Sequence, residues 1–397
     1  MLKITSLNRV ETIFPKMVKL RRIFHSHPEL AFEEVETARI VMKELDRLGI
    51  EYKYEGKGSA VIGRLGSGNS SSPEVALRAE MDALPAMENT GLSFESVVPG
   101  RMHACGHDAH MAMVLGAASL LKDHPPEGNV LFVFQPGEER GGGARVVLKS
   151  GVLKDVKAIF AGHVTHHYRV GEIMIASGVV TAQSDRFIIK IKGKGGHGAR
   201  PHEAIDAVVI TGMLITTIQT LVSREINPLY PSVVTIGRIE AGSAPNVIAE
   251  EAILEGTIRT TLPEVRDHIH NGLKRMAKAM ESCHNARLDV EIREGYPPVV
   301  NSHREAEIAN RAATHIVGKT GLVAMEYPSM GSEDFSFYLQ KIPGCYVRFG
   351  ARIKEDDYIP LHSPHFDINE EVLKVGAEYF DQIVREAIKE YAQNGNE

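Results

Sequence analysis

The order of hydrophobic patterns predicts an α/β protein in which a larger domain is interrupted by a smaller one. Short apolar, β-branched segments alternate with helical patterns over residues 1–183, and this alternation resumes over residues 297–397. Between them, residues 184–296 follow the order β-α-β-β-α-β. Alternation of this kind is typical of a central, mostly parallel sheet flanked by helices, and the middle order is that of a ferredoxin-like domain. We therefore expect 1–183 and 297–397 to form one domain and 184–296 an inserted one.

The individual elements follow from local periodicity, β-branched content and flanking turn residues. In the larger domain the expected strands are 60–65, 75–79, 130–135, 158–161 and 345–349, and the expected helices are 37–48, 108–122, 144–150 and 370–391. In the inserted domain the expected strands are 186–192, 232–240, 252–260 and 287–293, and the expected helices are 203–224 and 263–282. The charge-free stretch 207–223 is shorter than the roughly 20 apolar residues of a membrane span, so we expect a packed helix there.

The amino-acid composition and net charge indicate the class of protein and argue against some classes of partner. The chain has 397 residues, is 43% hydrophobic and 24% charged, and its 45 Lys and Arg against 51 Asp and Glu give a net charge of -6. These values are typical of a soluble globular protein without a broad basic surface, so we expect neither a nucleic-acid nor a membrane partner. Three cysteines are too few for a disulfide framework, which favours a reducing, cytoplasmic location.

A dense group of metal-ligand residue types precedes the helix expected at 108–122. The segment 103–110 reads HACGHDAH and contains Cys105 and His107. A single Cys-Gly-His would more often be a packing motif than a chemical one. A thiol together with several imidazoles in eight residues instead favours a site for zinc or a similar divalent ion.

Further polar residues follow several of the expected strands. Glu138 and Glu139 come after 130–135, His163 comes one step after 158–161, and Asp82 comes after 75–79. His362 follows the strand at 345–349 by a loop. Each histidine alone would more often be structural. Because open α/β sheets bind ligands outside the carboxyl ends of their strands, we expect these side chains to lie together.

The number of candidate ligands favours two metal ions. Cys105, His107, one of the two glutamates, His163 and His362 make five, whereas a catalytic zinc site uses three protein ligands. Two ions about 3.5–4 Å apart can share a water molecule and lower its pKa to about 7. The other glutamate is then available to carry a proton. The spacing does not decide which glutamate has which role.

Five ordered motifs resemble those of the aminoacylase and carboxypeptidase family of metallo-amidohydrolases, and most closely the branch of hippurate hydrolases and indoleacetyl-amino-acid hydrolases. They are ALRAEMDALP at 76–85, HACGHDAH at 103–110, QPGEE at 135–139, GGHGARPH at 195–202 and LHSPHFD at 361–367. The resemblance implies that Cys105, His107, Glu139, His163 and His362 are the metal ligands and that Glu138 is the general base. It also implies that the larger domain is catalytic and that the inserted one is a lid and dimerisation domain.

Two positions depart from the pattern of this family. Glu80 stands where aspartate is usual, so we assign it no role and treat only Asp82 as a support for the metal ligands. Gly137 stands where alanine is common, and we expect this difference to matter little.

The inserted domain contributes three candidate residues. His197, in a glycine-rich loop, is suited to donate a hydrogen bond to the oxyanion of a tetrahedral intermediate, although a purely structural turn is the alternative. The resemblance implies that this histidine reaches the active site of the partner subunit in a homodimer. Asn246 and Arg259 are candidates for substrate contact, because a guanidinium pairs well with a carboxylate.

Together these observations predict metal-dependent hydrolysis of the amide bond of N-acyl amino acids or of C-terminal peptide bonds. Two divalent ions, zinc or manganese with cobalt or nickel as alternatives, would serve as cofactors. The rival hypothesis is a catalytically silent module that binds a metal or a small molecule. The pair Glu138 and Glu139 argues against it, because a binding module needs no spare base. The nucleophile motif G-x-S-x-G of many serine hydrolases is missing from the sequence.

Overall fold

The computed structural model describes residues 2–66, 72–354 and 358–393, with side chains from residue 9 onward. The chain divides into two compact units. The larger unit comprises Met1–Gly178, Val300–Glu326 and Asp334–Glu397, and the smaller comprises Val179–Val299 and Tyr327–Glu333. Each unit has its own apolar core. The chain therefore passes from one unit to the other within a few residues of the positions expected from the sequence, and residues 327–333 join the smaller unit as well.

The helices and strands are numbered in chain order. The helices are α1 (Leu2–Ser26), α2 (Val35–Leu48), α3 (His107–Asp123), α4 (Gly143–Lys149), α5 (Ala207–Thr220), α6 (Pro263–His284), α7 (His303–Val317), α8 (Ser336–Leu339) and α9 (Val372–Gln393). The strands are β1 (Glu51–Lys53), β2 (Val61–Leu65), β3 (Glu74–Glu80), β4 (Asn129–Gln135), β5 (Val156–Arg169), β6 (Ile173–Met174), β7 (Gly178–Val179), β8 (Gln183–Lys192), β9 (Gly196–His197), β10 (Ser232–Ala241), β11 (Val247–Ile248), β12 (Glu251–Thr260), β13 (Arg287–Glu294), β14 (Val300–Asn301), β15 (Leu322–Val323) and β16 (Gly344–Arg352).

An eight-stranded sheet forms the centre of the larger unit, with the order β1-β2-β4-β3-β5-β16-β6-β15. Its central strands are parallel, since β3 runs parallel to β4 and β5, and β16 runs parallel to β5. Strands β3 and β4 are fully buried, as expected where helices cover a parallel sheet. Helices α3 and α9 pack on each other and on this sheet. The predicted fold class, a mostly parallel sheet flanked by helices, is confirmed.

The smaller unit has a four-stranded antiparallel sheet with the order β10-β12-β8-β13. Helices α5 and α6 pack on this sheet, so the chain order is β8-α5-β10-β12-α6-β13, the predicted ferredoxin-like arrangement. The expected start of α5 at residue 203 is wrong. Residues Pro201–Glu203 form a separate 3₁₀ turn, and α5 begins after Asp206, whose carboxylate accepts hydrogen bonds from the backbone of Val208 and Val209.

Helix α5 is apolar but only partly covered. The stretch Ala207–Glu225 is long and apolar enough to cross a membrane, by length and composition only, and 33% of its most apolar window is buried. Its buried residues contact α6 and β12 within the smaller unit. On its open side Val208, Val209 and Met213 are 48%, 53% and 46% exposed. The helix therefore packs on one side, as expected, and presents apolar side chains on the other.

Candidate metal centre

The candidate site lies at the carboxyl ends of the central strands. Strand β3 ends at Glu80 and β4 ends beside it at Gln135, and the loop carrying Glu138 and Glu139 follows directly. On the other side of β3, Arg78 pairs with Ala161 of β5, so His163 lies two residues farther along that strand. The prediction that His163 follows the end of a strand is wrong, because β5 continues to Arg169.

Cys105, His107 and His163 form one group of possible metal ligands. All three side chains are buried, and their donor atoms lie within 4.8 Å of one another. The Sγ atom of Cys105 is 3.3 Å from Nε2 of His163. Cys105 immediately precedes α3, and His107 is the first residue of that helix. The structure thus brings together donors from the start of a helix and from a central strand.

Cys105 also belongs to a second group, with Glu139 and His362. Nε2 of His362 lies 3.3 Å from Oε1 of Glu139. The loop of His362 is fixed locally, because its backbone N–H donates to the carbonyl of Ala104 at 2.8 Å. His362 itself has a positive φ of 67°. The five predicted ligands therefore fall into two groups that share one thiol, which is a suitable arrangement for a pair of cations.

The outer ring nitrogens of two histidines are tied to backbone carbonyls. His107 Nδ1 lies 2.8 Å from the carbonyl of Asp82, and His163 Nδ1 lies 2.7 Å from that of Val164. A carbonyl only accepts, so each Nδ1 carries the proton and each Nε2 is left as the donor atom for a metal. His107 Nε2 is buried without a hydrogen-bond partner in the described part of the chain. A divalent cation at this position would satisfy it, so the residues fit a metal site.

The surroundings shift the pKa values of three candidate metal ligands away from their ordinary values. Burial, together with the nearby carboxylates of Glu139 and Glu138, raises the pKa of the Cys105 thiol well above its ordinary value. Burial likewise lowers the pKa of His163. For His107, burial lowers the pKa, but hydrogen bonding to Asp82 and the surrounding carboxylates outweigh it and raise the value to about 10. Because metal binding requires a thiolate and neutral imidazoles, a bound cation would release protons from this cluster.

Glu138 lies beside the ligand groups and is distinguished from Glu139 by its contacts. It is 6% exposed, and its Oε1 accepts a hydrogen bond from the backbone N–H of Asp334 at 3.3 Å. One carboxylate oxygen of Glu138, one carboxylate oxygen of Glu139 and one ring nitrogen of His107 lie within 4.8 Å of one another. Glu139 contacts His362. Asp82 supports the loop, since its Oδ2 accepts from the backbone N–H of Glu139 at 2.9 Å.

The loop before Glu138 is held from the opposite side by residues that the sequence analysis did not identify. Oε1 of the buried Glu34 accepts from the backbone N–H of Gly137 at 2.8 Å, and burial raises the Glu34 pKa to about 7. Gly137 has a φ of +61°, and a Cβ there would lie 2.6 Å from the ring of Phe32. The expectation that glycine and alanine are nearly equivalent at Gly137 is therefore wrong, since alanine would be strained in both respects.

The three candidates from the smaller unit are more accessible. His197 and Asn246 are exposed, and they lie close together because β9 pairs with β11, with His197 opposite Val247. Nδ1 of His197 accepts from the backbone N–H of Ala199 at 3.1 Å, which places the ring proton on Nε2. Arg259 is half-buried in β12 and donates to Oγ of Ser332 at 2.7 Å.

Comparisons with known proteins decide the family. Residues 76–386 match peptidase family M20/M25/M40. The chain belongs to this family. It is 42% identical over 384 residues to IAA-amino acid hydrolase ILR1-like 4 of Arabidopsis thaliana, covering 94% of this chain and 86% of that one. It is 40% identical over 380 residues to N-acetylcysteine deacetylase of Bacillus subtilis, covering 94% and 98%.

A similar solved structure is that of a metal-binding peptidase. The crystal structure of the Bacillus subtilis YXEP protein, a dinuclear metal binding peptidase, matches with a TM-score of 0.82 at 35% identity, covering 96% of this chain and 99% of that one. The family resemblance inferred from the motifs is confirmed. This member of the M20/M25/M40 family is a metal-dependent hydrolase of amide bonds with ligand groups for a dinuclear centre.

Proposed function

We propose that this hydrolase releases an amino acid from an N-acyl amino acid or from the C-terminus of a peptide. Cys105, His107, Glu139, His163 and His362 would hold two divalent ions, zinc or manganese, with cobalt or nickel as alternatives. The observation that carries this proposal is the pair of ligand groups that share Cys105. The relatives named as an IAA-amino acid hydrolase and an N-acetylcysteine deacetylase support the substrate class.

The protein residues then have distinct tasks. When bound, the ions would polarise the scissile carbonyl and lower the pKa of a water molecule, so that it can supply a hydroxide nucleophile near neutral pH. Glu138 takes the proton from that water and later returns it to the nitrogen of the leaving amine. His197 donates a hydrogen bond from Nε2 to the oxyanion of the tetrahedral intermediate. Asp82 keeps His107 and Glu139 oriented through its backbone carbonyl and its carboxylate.

Arg259 would bind the carboxylate of the released amino acid, with Asn246 as a second substrate contact. Arg259 forms no ion pair with any described residue, and its hydrogen bond in this unit goes to the neutral Ser332. Burial lowers its pKa, with only a partial opposing effect from Asp185. An unpaired, half-buried guanidinium is costly unless an anion satisfies it. This supports a substrate that presents a free carboxylate.

We propose a homodimer formed through the smaller unit. The open side of α5 carries Val208, Val209 and Met213. Strand β10 is an edge strand of its sheet, with Val233 and Ile239 exposed at 40% and 51%. An apolar helix face beside an unpaired strand edge is suited to pair with a second copy of itself. We propose that in such a dimer His197 of one subunit acts in the active site of the other, as the family resemblance implies.

Subunit complementation tests the shared site. H197A and E138Q are each expected to be nearly inactive. Unfolding and refolding them together forms heterodimers in which one of two sites carries both native residues, so about a quarter of the wild-type activity is expected. If the mixture stays as inactive as the separate variants while gel filtration shows a dimer, the two residues do not act across subunits.

We keep the cytoplasm as the proposed location and propose no nucleic-acid or membrane partner. All three cysteines are free, and a ligand thiol such as Cys105 is protected from oxidation in a reducing compartment. Cell fractionation tests the location. Recovery of the protein in the membrane fraction would instead indicate that the open side of α5 contacts lipid.

The substrate class is tested with apo-protein reconstituted separately with each of the four ions. A panel of N-acetyl, N-benzoyl and indoleacetyl amino acids and dipeptides is assayed for release of free amino acid. Each substrate is paired with the same compound in which the carboxylate is an amide. Hydrolysis that requires both the ion and the carboxylate supports the proposal. Equal hydrolysis of the amide-capped compounds would contradict the carboxylate requirement.

A further inference from the structure

His110 lies directly behind the ligand groups and is tied at both ring nitrogens. It sits in the first turns of α3 and is 1% exposed. Its Nε2 accepts a hydrogen bond from the backbone N–H of Val164 at 3.0 Å. An accepting ring nitrogen carries no proton, so the proton is on Nδ1, which lies 2.9 Å from Oε2 of Glu80. The ring is therefore held in one tautomer and one orientation.

The backbone of Val164 connects His110 with the candidate ligand His163. Val164 uses its N–H toward His110 and its carbonyl toward Nδ1 of His163, the latter at 2.7 Å. The two rings also meet edge to face, with centroids 4.6 Å apart. Since the carbonyl of Val164 fixes the orientation of His163, a shift of the Val164 backbone would rotate the imidazole whose Nε2 lies 3.3 Å from Cys105 Sγ.

Glu80 anchors the other end of this chain of contacts. It is 1% exposed and pairs with the fully buried Arg78. Arg78 also donates to Asp334 at 2.6 Å and to Gln135 at 2.9 Å. Burial raises the pKa of Glu80, but the charge of Arg78 and the hydrogen bond with His110 outweigh it and lower the pKa well below its ordinary value. The carboxylate is therefore ionised and accepts the Nδ1 proton of His110 as a strong, charge-assisted hydrogen bond.

We infer that Glu80 and His110 are positioning residues that act through the backbone of Val164 to orient His163 for metal binding. This inference rests on the proposed metal site. A direct ligand role is the competing explanation, because Glu80, His107 and His110 also have donor atoms within 4.8 Å of one another. However, both ring nitrogens of His110 are already engaged, one by Val164 and one by Glu80.

Two substitutions of His110 separate the contacts. In H110Q the side-chain oxygen falls near the position of Nε2 and can still accept from Val164, whereas H110N places its amide nitrogen near Nδ1 and keeps only the contact with Glu80. The Co²⁺ affinity and stoichiometry of the full-length enzyme are measured by competition with a chromophoric chelator, together with the thiolate-to-cobalt absorption band. H110N is expected to bind one ion about 10–100-fold more weakly, and H110Q to stay within about threefold of wild type.

The outcomes are distinct. Wild-type affinity in H110N overturns the inference, as does an equal loss in both variants. Loss of one equivalent of Co²⁺ in both variants would instead assign His110 as a ligand. Failure of the wild type to bind Co²⁺ would refute the proposed metal site itself. If H110N does not give folded apo-protein by circular dichroism, E80Q decides. It should weaken Co²⁺ binding by about 3–10-fold, because it removes the charge from the bond to His110, and unchanged affinity overturns the inference.

Discussion

The metal centre in the larger unit and the candidate substrate residues in the smaller unit differ in how they are held. Cys105, His107 and His163 are buried, and the two imidazoles are fixed by backbone carbonyls. His197 and Asn246 are exposed; His197 ends β9, and Asn246 immediately precedes the paired strand β11. The side chains expected to bind cations are therefore buried and held by the protein itself. The side chains expected to recognise substrate are more accessible, and His197 and Arg259 are each held by a single hydrogen bond.

The largest effect is expected for C105A, because this thiol belongs to both ligand groups. The variant should lose both ions by elemental analysis and show no detectable hydrolysis. C345A is the matched control, since Cys345 is the other buried cysteine of the larger unit, in β16. It should keep its metal. Retention of one full equivalent in C105A would show that the thiol serves a single ion.

The two adjacent glutamates should separate chemistry from metal binding. E138Q is expected to lower kcat by about 10²–10⁴-fold while retaining the metal, because a general base is lost without a ligand. E139Q should instead lose metal. Steady-state kinetics and elemental analysis on the same samples test both. If E138Q loses metal and E139Q keeps it, the assigned roles are reversed.

H197A is expected to lower kcat by about 10²–10³-fold with unchanged metal content, because one oxyanion donor is removed. H202A is the control, as His202 is another exposed histidine a few residues away in the same unit. It should retain activity. A wild-type kcat in H197A would leave this histidine with the structural role of a turn residue.

R259K should raise KM about tenfold for substrates with a free carboxylate, because lysine keeps the charge but not the two-pronged geometry. R238K, at an exposed arginine of β10 paired with Glu240 and Glu255, should leave KM unchanged. The amide-capped substrates serve as the second comparison. An equal rise in KM for capped and uncapped compounds would exclude carboxylate recognition by Arg259.

G137A is expected to have the smallest effect, lowering the free energy of unfolding by about 1–3 kcal/mol. The matched control is G151A, because Gly151 also has a positive φ, of +73°, but a Cβ there would meet no atom within 4 Å. G137A should be less stable than G151A in urea unfolding, the difference reflecting the contact with Phe32. Equal loss in both would leave backbone conformation as the whole cause.

The sequence predicted those elements whose residues repeat with the period of a strand or helix. Strand β4 and helix α9 were predicted on this basis, but the second half of β5 was not. In Val164–Arg169 the five residues after Val164 are all polar or aromatic, and the strand continues there because it pairs with β16. The N-terminal helix α1 was also missed, and its Arg21 and His25 both contact the buried Asp108.

The candidate ligands could be named from the sequence because their residue types are uncommon together and stand in motifs that resemble those of a known family. The residues behind them could not. Glu80 meets His110 across 30 positions, and Glu34 meets Gly137 across 103, and neither spacing leaves a local pattern. Short motifs indicate which side chains can bind a cation. The contacts that orient these side chains form only in the packed fold.

The anchoring of His107 and His163 by main-chain oxygens has a consequence for mutational scans. Asp82 and Val164 supply these carbonyls whatever side chain they carry, so V164A would keep the anchor intact. Alanine scanning would therefore not detect the contribution of these main-chain carbonyls to the candidate metal centre. Atom-level replacement of the amide, for example by an ester introduced through protein semisynthesis, would be needed to expose it.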